Sequence, residues 1–300
     1  MKIYAIIVTY NAMRRNWADR CLKSLQNSTT PVTAVIIDNG STDGTREYIP
    51  KHYPDAIWLP QEKNLGFGQA NNVGFRYALE HEADYVLLLN QDASIAPDML
   101  SKLIKESDGL SLVTPIHCNG DGSSFDANFE KYTLRPCPHA PQTLSDCKQT
   151  TGSYEIGEVC AACWLMPIRL VNTIGGFNPL FFQYSEDNNY YDRMAYHHIK
   201  TLLVPAVEMH HDRLTHGSEK TYSHKLLHRS LLTILCDINL SMTSCIKEVL
   251  WKTKNCYTQE LKKGAYMPGS IFIELLWFAA HSNTIRKSRK KERQKGRTWL

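Results

Sequence analysis

Three apolar stretches of this chain break off on side chains that can do chemistry. "KIYAIIVTY" (2–10) leads into Asn11, "VTAVIID" (32–38) ends on Asp38 and Asn39, and "YVLLL" (85–89) gives way to Asn90, Gln91 and Asp92. Asp and Asn are common wherever a strand becomes a loop, so one such ending says little. Three endings of one kind say more if the strands are parallel neighbours. Their C-terminal ends then share one edge, where open α/β sheets bind ligands. Thr9, Tyr10, Asn11, Asp38, Asn39, Gln91 and Asp92 are the candidates for a nucleotide crevice on that edge. Asp38 precedes the helix-capping run Ser41, Thr42 and Asp43, and its carboxylate is placed to accept a base N–H or a ribose hydroxyl. In "EKNLGFGQANNVGF" (62–75), Gly66 and Gly68 open a helix whose backbone N–H groups can hold a phosphate. Asn64, Gly66 and Asn71 join the nucleotide candidates, because Asn71 and Asn72 are odd choices for a helix interior unless their amides are used.

The elements that must position these residues alternate regularly. Strands near 2–10, 32–38, 56–59 and 85–89 are separated by helical spacing near 20–26, 43–49 and 68–80. That order predicts a mostly parallel sheet with helices on both faces. Residues 117–157 are rich in Gly, Ser, Pro and Asn without a clean period, as expected of a functional loop region. In "TLLVPAVEMHHDR" (201–213) a strand, a turn at Pro205 and a second extended run are expected. From about 221 to 285 the pattern is helical.

Composition narrows the function classes. The chain has 300 residues, 43% of them hydrophobic, enough for one large α/β domain with a helical appendage. Its net charge is +4, but "RKSRKKERQKGR" (286–297) alone holds eight basic residues and one acid, so the remainder is slightly acidic. The body therefore lacks the broad cationic face that nucleic acid requires, and no nucleic-acid partner is expected. The basic tail is expected to be solvated, with peripheral attraction to an anionic membrane as its functional reading. Nine cysteines behind a first strand that starts at once suggest a reducing cytoplasm. The lone pair Cys160 and Cys163 reads as small buried side chains rather than as a metal or redox site. No apolar run reaches spanning length; "IFIELLWFAA" (271–280) is short and carries Glu274.

Taken together and in order, "VTYN", "DNGSTDGT", "NLGFGQANN", "LLNQDA", "GGFNPLFFQYSED" and "HHDR" resemble the family 2 glycosyltransferases, over roughly residues 1–215. The resemblance implies the A-type glycosyltransferase fold, with a nucleotide-binding half over about 1–115 and an acceptor half over about 116–215. A helical extension (216–285) and the basic tail (286–300) follow. It implies an inverting transfer of sugar from a UDP- or dTDP-linked donor to a saccharide or lipid-linked acceptor in cell-surface polysaccharide synthesis, with Mn²⁺ or Mg²⁺ as cofactor. Asp92 then binds the cation through the donor diphosphate, and His211, six residues after Pro205, is a second ligand; His210 is one residue out of register. Asp187 is the catalytic base, with Glu186 beside it, and Arg213 lies within reach of the diphosphate. Trp164 and Asn178 are the acceptor-side candidates. Asn90, Asn178 and Asn189 stand where relatives often carry acids, which keeps a non-catalytic nucleotide-sugar binder as an alternative. A sugar nucleotidyltransferase is disfavoured, because "NAMRRNW" after the first strand has no glycine for a triphosphate loop.

Overall fold

A computed structural model describes residues 1–213, 224–263 and 268–300. Residues 221–223 and 264–267 of the expected helical run lie outside the described residues. Among the described residues a nine-stranded sheet runs in the order β3 (Ile57–Pro60), β2 (Thr33–Asp38), β1 (Ile3–Thr9), β4 (Tyr85–Leu89), β8 (Cys163–Pro167), β6 (Leu112–Asn119), β9 (Thr201–His211) and β5 (Ala93–Ile95), with β7 (Tyr154–Ile156) also pairing β9. Its N-terminal half is β1, β2, β3 and β4, all parallel. The β-branched, two-sided apolar character of these strands follows from helices covering both faces. On one face lie α1 (Trp17–Gln26), α2 (Thr45–His52) and, later in the chain, α4 (Met99–Lys105); on the other lies α3 (Phe67–Glu80). The register pairs Thr9 with Asp38, so the strand ends do share one edge.

The second half completes the sheet with β5 (Ala93–Ile95), β6 (Leu112–Asn119), β7 (Tyr154–Ile156), β8 (Cys163–Pro167) and β9 (Thr201–His211). β9 is one strand and not two: Pro115 pairs with Val204 and Ile116 with Glu208, so Pro205, Ala206 and Val207 form a bulge. The bulge suits a proline, which cannot donate to a ladder. The 117–157 region is also more ordered than its composition suggests, containing helical turns over 127–134, α5 (Leu144–Gln149) and β7. Helix α6 (Ile168–Ile174) follows β8, and α7 (Glu186–Tyr196) carries the two acids of the "SED" motif.

Helices α8 (His224–Cys236), α9 (Met242–Lys263), α10 (Pro268–Ala280) and α11 (Ser282–Glu292) gather around an apolar cluster of their own, which includes Leu231, Cys245, Val249, Phe278 and Ile285. The basic segment departs from the expectation of a solvated tail. Helix α11 buries Ser288, Arg289 and Glu292, and Arg289 donates to the carbonyls of Leu235, Asp237 and Leu240, closing the end of α8. Beyond it the chain docks on the loop that follows α6, where Gly176 N–H donates to Thr298 O at 2.7 Å. Gly175, at φ 83°, admits that approach: a Cβ there would lie 2.1 Å from Thr298 O.

Asp192 on α7 is pushed up to about 8, first by burial and then by the negative charges of Asp237, Glu158 and Glu292. The native state therefore binds a proton here that the unfolded chain, with an ordinary carboxyl, has released by pH 6. Stability from this residue falls as pH rises from about 4 towards 8. Asp192→Asn should flatten the decline of thermal midpoint between pH 5 and 8, and an unchanged slope would refute this assignment.

Candidate active site

The ends of β1 and β4 are tied by a reciprocal pair. Tyr10 N–H donates to Gln91 Oε1 at 2.9 Å, and Gln91 Nε2 donates to Tyr10 O at 3.2 Å. Tyr10 stands 46% exposed at this edge. Asn11, at φ 50°, accepts from Thr42 N–H through Oδ1 and donates its own N–H to Ser41 Oγ, bracing the β2 loop. Asn39 ties that loop to the glycine loop: Nδ2 donates to Asn64 Oδ1, and Oδ1 accepts from Leu65 N–H. Gly66 N–H donates in turn to Asn64 Oδ1. Gly66 adopts φ 80°, and a Cβ on it would fall 1.9 Å from Phe182 O, so the glycine loop abuts the segment leading to α7.

Several candidates are in the right neighbourhood but have no free surface. Asp38 is fully buried, and its carboxylate accepts from Arg46 Nε at 2.8 Å and from Ser41 N–H. It therefore organises the loop rather than meeting a ribose directly. Thr9 is buried, with Oγ1 lacking a partner. Asn71 is buried and donates to Phe67 O within its own helix. Asn72 clamps Phe177 by both amide atoms, which explains an asparagine inside α3 without a ligand. Trp164 is buried among Phe177 and Tyr190, as a core residue and not a sugar platform. Asn178 is fully buried too; its Nδ2 donates to Ser288 Oγ at 2.8 Å and Glu292 Oε1 at 2.9 Å, out of reach of any acceptor hydroxyl.

At the other end of the crevice β5 pairs with β9 so that Ala93 opposes His211. This register sets His211 Nε2 3.2 Å from Asp92 Oδ1. His210, on the opposite side of the strand, lies 3.3 Å from Glu208. His211 Nδ1 in turn faces Asp126 Oδ2 at 3.6 Å, and Arg213 Nε meets the same carboxylate at 3.2 Å. Asp126 is held by capping: Oδ1 accepts from the N–H groups of Asn128 and Phe129. These bonds and its cationic neighbours outweigh burial and keep the Asp126 carboxyl ionised, well below the usual range. Burial would lower the imidazolium of His211, but Asp126 and Asp92 together raise it. A carboxylate behind a histidine fixes its tautomer and ring orientation, the usual support for a metal-ligating imidazole. Asp126 escaped the sequence reading; its one local signal is the capping pattern in "FDANF".

Among the described residues no three His, Cys, Asp or Glu side chains converge into a self-sufficient metal site. The local chemistry nevertheless suits a hard divalent cation. Asp92 and His211 offer one oxygen and one nitrogen, and Asn90 Oδ1 is buried beside them without a hydrogen-bond partner. Mg²⁺ and Mn²⁺ sites of this kind use one or two protein ligands and complete their shell with phosphate oxygens and water.

The two acids of α7 follow two left-handed residues, Tyr184 and Ser185, both at φ 68°. Such backbone costs on the order of 1–3 kcal/mol per residue and persists where the surroundings impose it. Glu186 is 5% exposed and its Oε2 has no partner, so burial, then the charge of Asp187, raises its pKa strongly. Asp187 is raised by burial as well, but it accepts from the N–H groups of Asn188 and Ala161 and feels Arg213. Neighbouring carboxyls, Glu186 buried and Asp187 half-buried, disfavour two negative charges, and the backbone bonds favour Asp187 as the one that ionises. Cys160 lies close by, 3.6 Å from His117 Nδ1, with burial pushing its thiol up to about 12. A half-buried thiol held this far from its thiolate is no nucleophile.

His211→Ala should weaken Mn²⁺ affinity in the presence of nucleoside diphosphate by at least about tenfold, and His210→Ala by less than about twofold. Titration calorimetry on both variants checks this, and equal losses would count against His211.

The family described as "Glycosyl transferase family 2" matches over residues 4–160. The chain is 27% identical over 244 residues to an N-acetylglucosaminyl-diphospho-decaprenol L-rhamnosyltransferase of Mycobacterium tuberculosis, covering 73% of this chain and 80% of that protein. It is 26% identical over 144 residues to the dTDP-rhamnosyl transferase RfbF of Shigella flexneri, covering 47% of each. Among solved structures, S. aureus TarS 1–349 in complex with UDP superposes with a TM-score of 0.55 at 16% identity, over 96% of this chain and 89% of that one. GalNAc-T7 with UDP, GalNAc and Mn²⁺ gives a TM-score of 0.59 at 16% identity, over 78% and 47%. The structural likenesses establish the A-type glycosyltransferase fold. With a family match spanning more than half the chain and the strand-end, "NLGFG" and "SED" loops gathered at one crevice, this chain belongs to glycosyltransferase family 2, enzymes that use nucleotide-sugar donors.

Proposed function

We propose that this protein transfers a sugar, with inversion, from a UDP- or dTDP-linked donor to a lipid-linked saccharide in cell-surface polysaccharide synthesis. The catalytic unit then spans about 1–215, with its acceptor half over about 116–215, and the extension of 216–285 follows it. The observation that carries the reading is the line Asp92, His211, Asp126, Arg213 at one end of the nucleotide crevice, with Asp187 within the electrostatic reach of Arg213. The names of the mycobacterial and Shigella relatives, one with a diphospho-decaprenol acceptor and both acting with rhamnose, support the donor and acceptor classes.

In this reading Tyr10 offers its exposed ring to the base, while the Asn11, Asn39 and Asn64 bonds hold the two loops that flank the nucleotide. Asp92 and His211 would hold Mn²⁺ or Mg²⁺, which would supply positive charge against the departing diphosphate. Arg213, braced by Asp126, adds a second positive charge on that side. Asp187 accepts the proton of the attacking hydroxyl, and its position at the start of α7 favours the ionised form it needs. Glu186, holding its proton, keeps a second negative charge away from the base. No helix among the described residues is long and apolar enough to cross a membrane. Work at the inner membrane face from the cytoplasm is therefore proposed as peripheral.

Asp92→Asn should lower Mn²⁺-dependent affinity for UDP or dTDP by at least about tenfold while leaving metal-free affinity and thermal stability near wild type, because only a metal-bound diphosphate needs the charge. Calorimetric titration with and without Mn²⁺ is the test, and unchanged metal-dependent affinity would remove Asp92 from the site.

A further inference from the structure

Helix α10 is built with its charge inward. Glu274 is 2% exposed, whereas Phe272, Ile273 and Leu276 are 64%, 58% and 53% exposed. Ile271, Leu275 and Phe278 pack into the helical core as well, so the helix is apolar on its outer side in addition to its inner one, whereas a helix at a water-facing surface turns a polar face outward. The inward carboxylate is matched: Glu274 Oε2 lies 2.6 Å from His228 Nδ1 of α8, and the His228 ring stacks on Phe278. Between α8, α10 and the 180–184 segment lies a cavity of about 410 Å³. Its apolar wall includes Leu180, Phe181, Leu232, Ile273 and Trp277, and its polar groups include Arg229 and the His228–Glu274 pair. Arg229 holds its guanidinium 4.3 Å over the Tyr184 ring and has no carboxylate within ion-pair distance among the described residues. Its charge is felt by Glu186, so this end of the cavity adjoins the catalytic carboxylates.

An apolar cavity with one cation that no carboxylate among the described residues pairs, set towards the catalytic acids, and an outward apolar helix face at its rim, fits an anionic head on an apolar tail. We propose that it binds the phosphate-bearing isoprenoid end of the acceptor. The phosphate meets Arg229, the first isoprene units lie against Leu232, Ile273 and Trp277, and the chain leaves over Phe272 and Leu276 into lipid. Free inorganic pyrophosphate could satisfy only the cation. An ordinary anionic membrane could satisfy only the helix face. The proposal rests on the reading of the acceptor as lipid-linked, and it assigns a binding role to α8 and α10.

The test is titration of the full chain with farnesyl diphosphate in Mn²⁺ and saturating UDP or dTDP, so that the donor diphosphate site is filled. Inorganic pyrophosphate and phosphatidylglycerol vesicles are parallel probes. Farnesyl diphosphate should bind at least tenfold more tightly than pyrophosphate. Arg229→Ala and Ile273→Asp, both at solvent-accessible positions, should each weaken it at least tenfold and leave nucleotide affinity within twofold, which also reports an intact fold. Equal affinity for pyrophosphate and farnesyl diphosphate, or an Arg229→Ala protein that binds like wild type, overturns the proposal. So does vesicle binding without any farnesyl diphosphate binding, which would make α10 a general membrane surface. A wild type that binds neither UDP nor dTDP would sink the donor reading, and farnesyl diphosphate binding without nucleotide would still decide the cavity.

Discussion

Asp187→Asn lowers turnover by about 10²–10⁴, the range for loss of a positioned general base, and leaves the donor dissociation constant within about twofold of wild type. Asparagine keeps the shape and the reach but cannot take the proton. Donor affinity survives because the proposed function assigns the diphosphate to Asp92, His211 and Arg213, which lie on other elements than α7. Glu186 gives the internal comparison. Its buried, unpartnered Oε2 favours the protonated form, whereas Asp187 is held by two backbone N–H groups that favour the charged one. Glu186→Gln, which resembles the protonated acid, should therefore keep far more activity than Asp187→Asn. Single-turnover transfer rates, with donor affinity measured separately, check both. If Glu186→Gln is the slower enzyme, the proton acceptor is Glu186 and the charge sits on the other carboxyl.

The parts of this site that were legible in the sequence are those fixed by local pattern and by register. Apolar runs ending on Thr9, Asp38 and Asp92 gave the strands and their common edge, because alternation of strand and helix leaves few parallel topologies. The pairing of β5 with β9 then turns His211, and not His210, towards Asp92, a consequence of the two-residue period of a strand. What the sequence could not convey is how each polar group spends its bonds. Asp38 and Asn71 look like ligands by position, yet Arg46 and the Phe67 carbonyl already occupy them. Asp126 lay hidden in a region without periodicity, although it supports both His211 and Arg213.

The amides that stand where relatives often have acids illustrate the same limit at longer range. Asn178 and Asn189 both direct Nδ2 at Glu292, from positions 114 and 103 residues earlier in the chain. The carboxylate is thus supplied by α11, and the two amides are its donors. They no longer argue for an inert binder. Asn90, beside His211, is a different case and remains at the nucleotide crevice. The basic run was read as solvated because hydropathy scores Ser288, Arg289 and Glu292 as surface residues. They are buried because each finds hydrogen-bonding partners, and a sequence profile does not register that compensation.

Glu292→Ala is accordingly expected to destabilise the protein by about 3–5 kcal/mol, the usual result of removing one partner of a buried ion pair. Arg193 of α7 is 1% exposed, with Nε 3.8 Å from Glu292 Oε1, while its other nitrogens donate to the carbonyls of Gly176 and Ile174. Without Glu292 the guanidinium keeps its charge in a buried place with only carbonyl dipoles against it. Asn178, Asn189 and Trp299 lose their acceptor in the same step. Glu292→Gln, which retains the acceptor oxygen but not the charge, should fall between the alanine variant and wild type. Lys287→Ala, at an exposed position one turn earlier, should stay within about 0.5 kcal/mol. Because α7 carries Asp187 and is joined to α11 through these bonds, the alanine variant should also lose activity at temperatures below its unfolding transition. Urea denaturation of the three variants, followed by tryptophan fluorescence, gives the comparison. A Glu292→Ala midpoint equal to that of Lys287→Ala would mean that α11 rests on the catalytic half without holding it, and that the basic run is a tail after all.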